Sequence, residues 1–398
     1  SLTTNQVWAK QIIDNAKQLK VRDIPLVING NEEISIDGEF GAGFDPSNPQ
    51  KLFYRYALAN SGQIDLVVDS SLEAFFIWSS TTLDERSTII KKLACLLQEH
   101  RAQLIEAMLT DTGKTILEAD TEVSEAIDFA NYYRFIMNEI VLLSDVDLKP
   151  KGVVLVTPPW NFPCSIAAGG IIAALITGNT VIFKPAPEAV LVGWTLVNLF
   201  WKAGVSKSVL QFINCIDETT GSQLIKNKKI SSVVLTGATE TAKLFYQMKP
   251  GIDLIAETGG KNSIIVTNMA DRDLAIKDIV QSAFGFTGQK CSACSLVICE
   301  AEVYDDPHFL SQLIDAVSSL KVDSAWNLAT KVNPLIKAPN ATLYNALTTL
   351  EEGEEWLLKP NCHPNNPNLW SPGIKKGVKP GSVTHTVEFF GPILGIIR

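Results

Sequence analysis

The sequence has 398 residues, 46% of them hydrophobic and 19% charged, enough for two or three packed units with filled cores. Lys and Arg total 34 against 43 Asp and Glu, a formal net charge of −9, and the single basic run, "KNKK" at 226–229, reads as a solvated helix end, which argues against a nucleic-acid partner. Seven cysteines, an odd number scattered through apolar stretches, exclude a disulfide framework and point to a reducing compartment, with cytoplasm as the default.

The opening "SLTTNQVWAK" has neither an initiator Met nor an apolar signal core and reads as the cut edge of a longer chain. Strands are expected around "PLVING" and "DPSNP". Helices follow. From Leu83 to Met108 the apolar residues Ile89, Ile90, Leu93, Leu96, Leu97, Leu104, Ile105 and Met108 recur at spacings of three and four, predicting one long amphipathic helix. "ADTEVSEAIDFANYYRFIMNEI" predicts a second.

After "SDVDLKPKG" short β-branched runs alternate with helical patterns. "VVLVTPP", "TVIFKP", "LQFINC" and "SSVVLTG" are the predicted strands, the signature of βαβ units and a parallel sheet. "IAAGGIIAALI" between the first two suits a buried helix, being far short of the ~20 apolar residues that a membrane span needs. Ligands of such a sheet belong at the carboxyl ends of its strands, yet the dinucleotide fingerprint G-x-G-x-x-G is absent. Those ends carry unusual residues: Trp160 and Asn161 among the prolines of "TPPWNFP", Lys184 in "FKPAPE", Gly237 and Ala238 in "LTGATETA", and Glu257 before the paired glycines of "AETGGKN". Each alone reads as a polar turn; four together favour a site.

"FGFTGQKCSACS" then sets Cys291 after a glycine-bearing turn, with Cys294 three residues on. A zinc clip would need a second close pair, for which only Cys362 and His363 offer themselves. A thioredoxin-like couple belongs after the first strand of a small domain, not at residue 291, and none of the four histidines has the setting of a dyad partner. A single nucleophilic thiolate remains, and it needs an oxyanion donor and a base, roles open to Asn161 and Glu257.

"PWNFP", "FKPAPE", "LTGATE", "ETGGKN", "GQKCSACS" and "EFFGP" occur in the order of the aldehyde dehydrogenase superfamily, which this sequence resembles over most of its length. "SAFGFTGQKCSACS" is similar to glutamate-semialdehyde (pyrroline-5-carboxylate) dehydrogenases, and "WSPGIKKGVKPGSVTHTVEFFGP" to the version fused behind a proline dehydrogenase in bifunctional proline utilisation protein A. The resemblance implies an α/β fold with a parallel-sheet NAD-binding domain over 1–260, including an N-terminal helical region, and an α/β catalytic domain over 261–398 that is incomplete at its C-terminus. It implies Cys291 as nucleophile, Glu257 as general base, and Asn161 with the Cys291 N–H as oxyanion hole, leaving Cys294 a bystander. NAD, in preference to NADP, would be held by Thr157, Pro158, Trp160, Lys184, Gly237, Ala238, Glu388 and Phe390, and the small aldehyde substrate by Phe162 and Ser292. No metal is implied, and FAD would belong only to a fused proline dehydrogenase domain outside this chain. The full-length parent is expected to be a homo-oligomer without a transmembrane segment. One departure is that a glutamate found three residues after the strand-end lysine in many NAD-dependent relatives is replaced by Pro187, with Glu188 next to it. The relatives also continue past Arg398 with a carboxylate-gripping loop and a subunit-joining strand, so the expectation for the chain as it stands is weak NAD binding and impaired turnover. Another small aldehyde as substrate, or a nucleotide-binding scaffold without turnover, remain open alternatives.

Overall fold

The computed structural model describes residues 2–34 and 39–398. They divide into two compact units, one comprising Ser1–Asp45, Lys51–Thr112 and Leu117–Thr258, the other Pro46–Gln50, Gly113–Ile116 and Gly259–Arg398.

The first unit opens with α1 (Thr3–Gln18), the short strands β1 (Leu26–Ile28) and β2 (Asn31–Glu33), and a hairpin of β3 (Phe40–Asp45) and β4 (Asn48–Ala57). "DPSNP" therefore spans the hairpin's turn as well as the strand ends beside it. Four helices follow: α2 (Ser61–Trp78), α3 (Leu83–Glu99), α4 (Arg101–Asp111) and α5 (Ile116–Ile140). Asn60 with Gln63 and Thr82 with Glu85 form capping boxes that start α2 and α3 by satisfying their orphan N–H groups. The helix expected from Leu83 to Met108 is two, because His100, at φ −99° and ψ 18°, ends α3 and begins α4. The apolar stripe runs on across this break, and no Pro or Gly marks it.

A sheet of seven strands among the described residues follows, built from β1 and β2 with β5 (Val153–Thr157), β6 (Thr180–Phe183), β7 (Leu210–Phe212), β8 (Ile230–Gly237) and β9 (Leu254–Thr258), in the order β2-β1-β7-β6-β5-β8-β9. All four predicted strands are present, and β5 to β9 run parallel. The crossovers are α6 (Ser165–Ile176), α7 (Val190–Ala203), a π turn at Asp217–Gly221 leading into α8 (Ser222–Lys226), and α9 (Thr239–Met248). The parallel part of the sheet starts at β5, steps outward through β6 and β7, then returns to pair β8 on the other side of β5, so the topological switch lies between β5 and β8.

The glycines of "IAAGGIIAALI" explain how α6 seats. A Cβ on Gly170 would stand 3.0 Å from Val156 Cγ1 and 3.5 Å from Val234 Cγ1, so only glycine lets this helix approach β5 and β8 so closely. The start of α6 is fixed by buried Glu122 of α5, which accepts from the N–H groups of Cys164 (2.7 Å) and Ser165 (3.1 Å). Buried Asp111, at the end of α4, does the same for α7, accepting from Leu191 N (2.9 Å), Val192 N (3.2 Å) and the Tyr54 hydroxyl (2.7 Å). Burial pushes the Asp111 carboxyl up to about 7, against the downward pull of those hydrogen bonds. Leu26, Ile28, Val153, Leu155, Ile182 and Val233 are among the fully buried residues of this unit's core.

The second unit holds β10 (Asn262–Val266), α10 (Arg272–Phe284), β11 (Cys294–Cys299), α11 (Ala301–Tyr304), α12 (Pro307–Ser318), α13 (Ala341–Thr348), β12 (Glu355–Leu358), β13 (Cys362–His363), β14 (Asn366–Trp370), β15 (Gly373–Lys376), α14 (Val383–Thr386) and β16 (Ile393–Ile397). Its main sheet has the order β10-β11-β16-β15-β12, parallel except for β12. Val297, Leu394 and Ile396 of the sheet and Ile279, Phe309 and Leu313 of the helices over it fill the core.

Candidate active site

In the first unit the residues singled out from sequence gather along one edge, the carboxyl ends of β6, β5, β8 and β9. Register aligns them: Val156 pairs Phe183, one residue before Lys184; Thr157 pairs Leu235; Thr236 pairs Glu257; and Gly237 pairs Thr258. Thr157 donates its hydroxyl to the Val234 carbonyl at 3.2 Å, tying β5 to β8 at the switch. Pro158, half-buried Trp160 and Phe162, and buried Asn161 occupy the loop from β5 to α6, whose far end is held by Glu122. Glu257 is exposed on the edge strand β9.

A dinucleotide fits this edge. The N-terminal N–H groups of α9 follow the Gly237 turn, and Ala238, its N-cap, makes no side-chain cap hydrogen bond, so donors suited to a pyrophosphate are left to a ligand. A Cβ on Gly237 would meet only Leu235 Cδ1 at 3.7 Å, so the turn is also open. Half-buried Lys184, at the end of β6, pairs with Asp217 at 2.7 Å.

In the second unit the segment before the cysteine pair has a backbone its sequence does not announce. Phe286 (φ 48°, ψ 36°) and Thr287 (φ 58°, ψ 31°) both sit in the left-handed region, a costly conformation for residues with a Cβ. The turn is held by cross-links. The Thr287 hydroxyl donates to the Asn333 carbonyl at 2.6 Å, Asn333 donates to the Gly113 carbonyl at 2.9 Å, and Gln289 accepts from Ile336 N at 2.9 Å. Buried Lys114 lies 4.8 Å from the centre of the Phe286 ring. Gly288 ends the turn at φ 72°, with room for no side chain, since a Cβ would fall 2.3 Å from the Gly391 carbonyl oxygen.

Cys291 and Ser292 emerge exposed from this turn, while Cys294 is buried at the start of β11, its Sγ 3.1 Å from the Leu296 carbonyl and its thiol pushed up by burial. The two cysteines thus have opposite settings. Of the seven thiols, Cys95, Cys291 and Cys362 are exposed, and Cys164, Cys215, Cys294 and Cys299 are buried. Asn262, to which the sequence reading gave no role, donates through Nδ2 to the Cys291 carbonyl and, at 3.4 Å, to the Ala293 carbonyl. The signal was present in "GGKN", but its meaning depends on the pairing of Asn262 with Cys294 across β10 and β11.

Half-buried Glu388 lies directly over Gly259, where an added Cβ would come within 1.9 Å of its Oε2. Lys261 Nζ sits 4.6 Å from the centre of the Phe389 ring; burial lowers its pKa to about 8, with Cys294 and Glu388 pulling the other way. Phe390 is left-handed at φ 56°.

Among the described residues no helix is long and apolar enough to cross a membrane. A profile of the aldehyde dehydrogenase family matches residues 38–398. The 1-pyrroline-5-carboxylate dehydrogenase of Geobacillus kaustophilus (strain HTA426) is 31% identical over 95% of this chain and 76% of its own length. The structure of proline utilization A (PutA) from Corynebacterium freiburgense is 41% identical, with a TM-score of 0.79, over 85% of this chain and 34% of its own, so the present chain matches about a third of that protein. A 1-pyrroline-5-carboxylate dehydrogenase from Thermus, solved with bound NAD, superposes at a TM-score of 0.90 and 28% identity over the whole of this chain and 80% of its own. With a parallel-sheet edge shaped for a dinucleotide, an exposed cysteine on a fixed turn, and this match over nearly its entire length, the chain belongs to the aldehyde dehydrogenase family.

Proposed function

We propose that this chain carries the NAD-dependent oxidation of L-glutamate γ-semialdehyde, the open form of pyrroline-5-carboxylate, to glutamate, the second step of proline catabolism. The observation that carries the reading is the setting of Cys291, an exposed thiol on a cross-linked left-handed turn with its carbonyl clamped by Asn262, while neighbouring Cys294 is buried. The substrate class is supported by relatives at about 30% identity that bear the name 1-pyrroline-5-carboxylate dehydrogenase.

In this reading the Cys291 thiolate attacks the aldehyde carbon; the C–S bond forms as the carbonyl π pair moves onto oxygen. The Asn161 amide and the Cys291 N–H are the donors assigned to that oxyanion, each worth about 3 kcal/mol in comparable acyl-transfer sites. Bound NAD would supply the acceptor for the hydride that the tetrahedral carbon must lose. Thr157, Pro158, Trp160, Lys184, Gly237 and Ala238 would hold its adenosine and pyrophosphate, and Glu388 and Phe390 its nicotinamide end. Loss of hydride leaves a thioester on Cys291. Glu257 then takes a proton from water as the water oxygen bonds to the acyl carbon; the C–S bond breaks, and glutamate leaves with the thiolate restored. Ser292 and Phe162 orient the substrate.

Cys291→Ala should abolish NADH formation from glutamate semialdehyde while leaving the NAD dissociation constant, measured by titration, within a few fold. Retained turnover would overturn the assignment. Glutamate semialdehyde should also exceed unbranched aliphatic aldehydes in kcat/KM, and equal values would point to a different small aldehyde.

A further inference from the structure

Pro187 stands three residues after Lys184, where the resemblance set out above leads to the expectation of a ribose-binding glutamate, so that position supplies no carboxylate. The π turn after β7 does supply one. Asp217 Oδ1 sits 2.7 Å from Lys184 Nζ, the lysine at the end of the adjacent strand β6. The lysine side chain is 12% exposed and the aspartate 62%, so the lysine is largely enclosed while the aspartate is open to solvent.

We infer that Asp217 is the specificity-determining residue of this edge: paired with Lys184, it accepts hydrogen bonds from the hydroxyls of an unphosphorylated adenosine ribose and repels a ribose bearing a 2′-phosphate. This rests on the NAD-site reading above. The chemistry follows from charge. A carboxylate is an acceptor suited to ribose hydroxyls, whereas a 2′-phosphate brings nearly two negative charges and needs a cation free to meet them. Lys184 is not free, because Asp217 already compensates it. Selection arises as much from the repelled phosphate as from the accepted hydroxyls.

The test is equilibrium binding by calorimetry on the full chain, with NAD, NADP, ADP-ribose and 2′-phospho-ADP-ribose as ligands. The unaltered chain should bind NAD and ADP-ribose at least about tenfold more tightly than their 2′-phosphorylated forms. Asp217→Asn, at an exposed position that leaves folding intact by circular dichroism, should strengthen binding of the phosphorylated ligands by about tenfold and weaken the others, collapsing the ratio. Asp217→Glu should preserve the preference. A ratio that stays within threefold of the original in Asp217→Asn overturns the inference while leaving the NAD site standing, and so does a native preference for NADP. Failure of the unaltered chain to bind any of the four ligands overturns the site reading, and this inference with it.

Discussion

Asn262 shows how one side chain can position the loop that carries the proposed nucleophile, Cys291, without touching its thiol. Its amide is the donor that gathers the Cys291 and Ala293 carbonyls, and so restrains the backbone on either side of Ser292. Removing it leaves two carbonyls near solvent, so the stability cost of Asn262→Ala should stay near 1 kcal/mol. Its catalytic cost should be larger, on the order of a hundredfold in kcat, because a displacement of about 1 Å in the attacking atom is felt that strongly. Asn262→Asp should not rescue, since a carboxylate has no proton to donate there. Steady-state kinetics alongside NAD titration check this, and an unchanged kcat would mean the left-handed turn alone sets the loop. Glycine at 259 is constrained just as locally, by the Glu388 carboxylate resting on it.

Helices α6 and α7 are each started by a carboxyl group borrowed from another helix. For α7 this has a titratable consequence. The native Asp111 carboxyl keeps its proton up to about 7, because burial outweighs the hydrogen bonds from Tyr54, Val192 and Leu191, whereas the unfolded chain releases it near the ordinary 3.8. Between these values the native state holds more protons, so stability falls as pH rises; the contribution is full below about 3.8 and lost as pH climbs through about 7. Asp111→Asn cannot titrate, and urea midpoints measured from about pH 5 to pH 8 should decline less steeply for it than for the unaltered chain. Parallel declines would assign the titration elsewhere. For α6 the sensitive point is Gly170. Gly170→Val would drive methyl groups into Val156 and Val234 and should cost about 1–3 kcal/mol, read as a lowered urea midpoint with unchanged slope. An unchanged midpoint would show that the helix can lift off β5 without penalty.

Across the whole molecule, features set by neighbouring residues could be read from the sequence, and features set by register or tertiary reach could not. The parallel strands β5 to β8 were legible because a β-branched run followed by a helical pattern is a local statement, and the polar residues at their ends came with them. The break at His100 was not, since the apolar stripe crosses it unchanged. Nor was the strained pair Phe286 and Thr287, whose left-handed backbone is enforced by Asn333, more than forty positions later. The Lys184–Asp217 pair and the capping of α6 and α7 belong to the same class. The division of the thiols turns this architecture into a clock. Cys164 and Cys215 are shielded in the first unit and Cys294 and Cys299 in the second, and burial raises the Cys215 and Cys299 thiols to about 11, which keeps them un-ionised as well as covered. An alkylating reagent at neutral pH should therefore mark Cys95, Cys291 and Cys362 at once and the other four only as fast as the structure around them opens. Peptide mapping over time would then give a separate opening rate for each unit from one untagged sample, and labelling of Cys215 or Cys294 as fast as Cys95 would show that the corresponding core does not stay closed.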